Sequence, residues 1–137
     1  MNQHPYLRAY MAGTVVPTLA LLVIVTVFTF ARYVYNVPVP IERVIVFPLA
    51  VVPNLWGLWN ILYIAFLAPR HLSLGVFGAV MPFLLLPGGW LVTRLVAFPV
   101  PPIVWHVVPY GFPVGVIVYY LVWKHIVGRL NAIIGIA

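Results

Sequence analysis

Eight formal charges, at Arg8, Arg32, Glu42, Arg43, Arg70, Arg94, Lys124 and Arg129, leave four charge-free intervals in the chain: 9–31, 44–69, 71–93 and 95–123. Each is longer than the ~20 residues an α-helix needs to cross a ~30 Å hydrocarbon core. Backbone in lipid must satisfy its own hydrogen bonds, which leaves helices or a closed barrel. Barrel strands would alternate in polarity over about 10 residues, and runs such as Leu21 to Phe30 show no alternation. The fold class is therefore an all-α integral membrane protein. Four transmembrane helices are predicted near 12–31, 45–67, 74–93 and 104–123, in one helical domain over 1–137.

Composition closes the other routes. Charged residues make up 6% of the chain and apolar residues 65%; a soluble domain carries about 25% charge. The few charges here could not cover a water-exposed surface, and disorder requires the opposite balance. The first interval follows a short tail bearing Arg8, as a secretory leader does. Its apolar run exceeds the roughly 7–15 residues of such a leader, so it reads as a span.

The connections are short. Pro38 and Pro40 make the first, about 32–44, extended or turn-like. Pro69-Arg70-His71 reads as a tight corner, and the prolines between Phe98 and Pro102 as a stiff link. Arg8, Arg70, Lys124 and Arg129 fall on one side of the predicted topology and Arg32, Arg43 and Arg94 on the other. The positive-inside bias then places both termini in the cytoplasm. Cations spread singly along membrane edges match anionic headgroups and do not form a nucleic-acid surface.

In the second span, Trp56, Trp59, Asn60 and Tyr63 fall on one helical face. Ala50, Asn54, Gly57, Ala65 and Ala68 fall on the other. The small-residue side predicts close helix packing with an amide in the seam. The aromatic side predicts either a bundle core tied by Asn60 or a pocket for a pigment, quinone or lipid. The third and fourth spans are irregular. Pro82 predicts a kink in the third, and Pro87-Gly88-Gly89 a break. In the fourth, Pro109 and Pro113 predict bending or partial unwinding, and Gly111 and Gly115 form a GxxxG association motif.

Catalytic chemistry has little to draw on. The chain holds one Glu, four His, one Ser and no Asp or Cys. Paired-carboxylate mechanisms, a Ser-His-Asp triad and thiolate chemistry are excluded. His71 and His125 fall at one predicted membrane face, where together they could ligate a haem or a metal ion. Arg94 lies near the end of the third span, and Glu42, otherwise an interfacial ion-pair partner for Arg43 and Arg32, is the carboxylate available to it.

Three functional readings remain. The leading one is a non-catalytic helical subunit, in contact with lipid, that packs laterally against other membrane helices in a homo-oligomer or a larger complex. The second is a small channel or transporter using the broken spans, with Asn54, Asn60, Arg94 and the first-span threonines lining its path. The third is a haem, quinone, pigment or lipid binder using the Trp56/Trp59/Asn60/Tyr63 face. The sequence names no substrate or partner.

Overall fold

A computed structural model describes residues 4–39, 41–45, 49–95, 97, 100 and 102–136, with the Arg43 side chain left aside. Pro40 of the first connection and Phe98, Pro99 and Pro101 of the third lie outside the described residues. Every element is helical: α1 Pro5–Tyr33, α2 Ile41–Val44, α3 Ala50–Leu62, α4 Leu74–Leu95, α5 Pro102–Leu121 and α6 Gly128–Ile133. α3 continues through a π-helical segment, Tyr63–Leu67, and a 3₁₀ turn, Ala68–Arg70; a second π-helical segment, Val122–Val127, joins α5 to α6.

Four helical runs are long and apolar enough to cross a membrane: Pro5–Tyr33, Ala50–Arg70, Leu74–Leu95 and Pro102–Ile133. The chain is thus an all-α, multi-pass membrane protein by the length and composition of its helices. The last run holds 32 residues, a length of ~48 Å. It outlasts the hydrocarbon core and carries Lys124, His125 and Arg129 on its final turns.

The helices of the third and fourth spans run continuously through their prolines. Pro82 and Pro87 lie inside α4, which remains helical through Pro87-Gly88-Gly89, so the expected break is absent. α5 is likewise helical through Pro109 and Pro113 rather than partly unwound. Each proline removes one backbone donor. In an apolar medium the other peptide groups find no partner as good as the helix, so the helix persists around the gap. Among the described residues, departures from α-geometry include the π-helical segments Tyr63–Leu67 and Val122–Val127, neither of which contains a proline, and the 3₁₀ turn Ala68–Arg70, which holds Pro69.

The chain forms two compact units, one of residues 1–70 with 129–137 and one of residues 71–128. In the first, α1 and α3 run antiparallel: the Ala9 carbonyl meets Asn60, while Gly13 faces the backbone of Trp56 and Gly57. A Cβ on Gly13 would lie 2.6 Å from the Trp56 carbonyl oxygen and 2.9 Å from the Gly57 Cα. A Cβ on Gly57 would collide with the Tyr10 ring. The two backbones therefore touch, as small residues permit in membrane helix pairs.

This contact redraws the faces of α3. Pro53, Trp56, Gly57, Asn60 and Tyr63 are all buried, whereas Ala50 and Asn54 are exposed and Ala65 is half-buried. Gly57 shares one packed stripe with Trp56 and Asn60 instead of lying opposite them. Adjacent residues sit ~100° apart on a helix, and α1, admitted closely by Gly57, is broad enough to cover both positions.

In the second unit α4 and α5 are antiparallel. Trp123 is fully buried against Gly78, where any Cβ would overlap the indole. Gly75 receives Tyr120 and Lys124. Farther along, the Phe83 and Phe112 rings meet edge-to-face, with centroids 4.9 Å apart, a geometry favoured by the aromatic quadrupole.

Candidate functional site

The most organised polar feature lies in the first unit. Asn60 and Asn131 are both fully buried. Asn60 Nδ2 donates to Asn131 Oδ1 at 2.8 Å and to the Ala9 carbonyl at 2.8 Å; Asn131 Nδ2 returns a bond to Asn60 Oδ1 at 3.0 Å. One amide cluster thereby joins α1, α3 and α6. Buried amides are tolerated where their donors and acceptors are matched, and this reciprocal exchange matches them.

The same unit uses its other polar groups in similar ways. The Tyr10 hydroxyl donates to Asn54 Oδ1, and Asn54 Nδ2 donates to the Ala50 carbonyl at 2.6 Å. Arg8 donates to the Ile134 carbonyl at 3.1 Å. Thr14, Thr26 and Thr29 donate to the carbonyls of Met11, Leu22 and Val25 at 2.8–2.9 Å, within their own helix. Of the polar residues expected to line a permeation path, Asn54 and Asn60 bond across to α1, whereas Thr14, Thr26 and Thr29 bond within α1.

Trp56 and Tyr63 are buried with Asn60, and Trp59 is half-buried. Glu42 forms an ion pair with Arg32, at 2.5 Å, and Arg94 lies over the Trp90 ring, 5.3 Å from its centroid. Arg32 ends α1 only ten positions before Glu42, so the short first connection brings the two together.

His71 and His125 are both exposed, His71 at the corner after Arg70 with a left-handed backbone (φ 55°) and His125 in the second π-helical segment. The His106 ring nitrogen Nδ1 lies 3.2 Å from the Pro102 carbonyl. Among the described residues no three His, Cys, Asp or Glu side chains cluster as a metal site would require.

The glycines divide into two sets. Gly13, Gly57, Gly75 and Gly78 each receive a neighbouring helix, whereas nothing lies within 4 Å of a Cβ built on Gly88, Gly89, Gly111 or Gly115. Beside Gly111 runs an apolar groove of ≈380 Å³ walled by Leu86, Ile103, Val107 and Phe112. Sequence reasoning missed Asn131, Gly13 and the Gly78–Trp123 seat. The small residues Ala9 and Gly13, four apart, were the available signal for the α1 seam; for Asn131 there was none.

Comparison with protein-family models, curated proteins and solved structures yields no match. Function must be argued from these residues alone.

Proposed function

We propose that the protein is a non-catalytic membrane subunit that associates laterally with a second copy of itself through the outer face of α5. The observation that carries this reading is the contrast between the two glycine sets. Gly13, Gly57, Gly75 and Gly78 are packed against neighbouring residues; Gly111 and Gly115 have the spacing of an association motif, and among the described residues nothing lies within 4 Å of a Cβ built on either. A GxxxG face is self-complementary, because two copies place glycine against glycine and let their backbones approach. Around the pair, Val107, Val108, Val114 and Val118 offer shape without charge to select a different partner.

Two further observations support packing over transport. Asn54, Asn60 and most of the span-one threonines are bonded within the chain, and α4 and α5 stay helical past their prolines.

Cross-linking in intact membranes tests the reading. The native chain has no cysteine, so Val107→Cys or Val118→Cys supplies one thiol each. A short thiol-reactive linker should couple Val118→Cys chains into a species of twice the protomer mass, while Leu19→Cys on exposed α1 should yield little. Equal yields from α1 and α5 would contradict the assignment, as would coupling only to a different polypeptide.

A further inference from the structure

Glu42, the only acidic side chain, is in an ion pair with Arg32, so the formal charge of +6 has to be balanced from outside the chain. Arg94 is the cation best arranged to recruit that balance. It lies in the last turn of α4, where its charge also complements the helix carbonyl terminus. Its guanidinium carbon lies over the Trp90 ring, 5.3 Å from the centroid. Trp90, Thr93, Arg94, Val100 and Trp105 line a cleft of ≈210 Å³.

A cation–π contact through the guanidinium carbon does not consume the N–H donors, and a guanidinium's N–H fork matches the oxygens of a phosphate in a two-pronged geometry. Thr93 is fastened by donating its hydroxyl to the Trp90 carbonyl at 2.7 Å, which fixes the cleft wall beside the arginine. Trp90 and Trp105 are about half exposed. Tryptophan at the end of a span belongs at headgroup depth, which puts the cleft where phosphates are concentrated. The cleft is too small for a whole lipid and suits a headgroup.

We propose that Trp90, Arg94 and Trp105 form a binding site for an anionic phosphate group, supplied either by a phospholipid headgroup or by free phosphate. The site is independent of the self-association through Gly111 and Gly115.

The test uses the full chain in mild detergent, with bound species read by native mass spectrometry after addition of phosphatidylglycerol, phosphatidylcholine or inorganic phosphate. The wild type should retain phosphatidylglycerol in preference to phosphatidylcholine. Arg94→Gln should weaken that retention about tenfold, the scale of one lost charge-assisted hydrogen bond. Arg94→Lys, which keeps the charge but loses the fork and the stack, should fall between the two. Arg129→Gln should leave retention near wild type. Competition by inorganic phosphate would identify the free ion as the occupant, and its failure to compete would identify the headgroup. Unchanged retention in Arg94→Gln with helicity preserved, or an equal loss in Arg129→Gln, would overturn the site. If Arg94→Gln loses helicity, the Lys variant decides: full retention there contradicts the fork.

Discussion

Asn60 and Asn131 stand 71 positions apart and exchange two amide hydrogen bonds, at 2.8 and 3.0 Å, with neither side chain exposed. Their pairing ties the middle of α3 to α6, and the Ala9 carbonyl adds α1 to the same cluster.

Removing either amide should destabilise the first unit. Asn60→Leu leaves the buried Asn131 amide unmatched and removes the bond to the Ala9 carbonyl, and a loss of about 1–3 kcal/mol is expected. Asn131→Leu should cost less, since the Asn60–Ala9 bond survives. The double variant should lose less than the sum, because the second substitution removes a group the first had already orphaned. Unfolding in mixed detergent micelles, run as a double-mutant cycle, reads the coupling directly. Strict additivity would mean that the two amides do not depend on each other.

Glycine positions should fall into two classes. Gly78→Ala and Gly13→Ala place a methyl group on the Trp123 indole and the Trp56 carbonyl respectively. Each should cost about 1–3 kcal/mol of protomer stability. Gly111→Ala, facing open space, should change protomer stability by under about 0.5 kcal/mol. Gly57→Leu should disrupt the α1–α3 seam far more than Leu55→Ala, because Leu55 is exposed and Gly57 is covered by Tyr10. Equal mobility of these two variants on a sizing column would count against the seam.

The Arg32–Glu42 pair should matter little for stability. Its side chains are 37% and 70% exposed, and exposed pairs contribute roughly 0–1 kcal/mol. Glu42→Gln should therefore shift the unfolding midpoint only slightly, and raised salt should narrow the difference further. A large loss would place the pair in a setting drier than its exposure indicates.

With four spans, the first connection and the corner after α3 should lie on opposite sides of the membrane, with both chain termini on the corner's side. Asn36→Cys and His71→Cys, made singly in a chain without native cysteine, should be labelled by an impermeant thiol reagent from opposite faces of sealed vesicles. Labelling of both from one face would overturn this topology.

The helices were legible because a charge inside a span is expensive, so the spacing of eight charges reveals where spans can lie. Their ends were less so: the final helix runs on to Ile133, past Lys124 and Arg129. The effect of Pro87 was misread because a missing donor is a local loss, while the decision to remain helical belongs to the whole turn around it. Residue spacing placed Gly57 opposite Trp56 by angle alone; how widely α1 wraps depends on Gly13, a residue in another helix. Asn131 could not be paired with Asn60 because a π-helical segment, Val122–Val127, resets the register between α5 and α6, and nothing in its composition announces it. Arg32 was legible as a neighbour of Glu42 from the short first connection, and Trp90 holds Arg94 because the two lie four residues apart on one helix.

The mass of the purified protein in mild detergent, measured by light scattering with the detergent contribution subtracted, tests the central proposal most directly. The account predicts that the wild type is a multiple of the 15.3 kDa protomer and that Gly111→Leu with Gly115→Leu reduces it to a single protomer while leaving helicity intact. A wild type of one protomer mass, or an assembly that both substitutions leave unchanged, would contradict it.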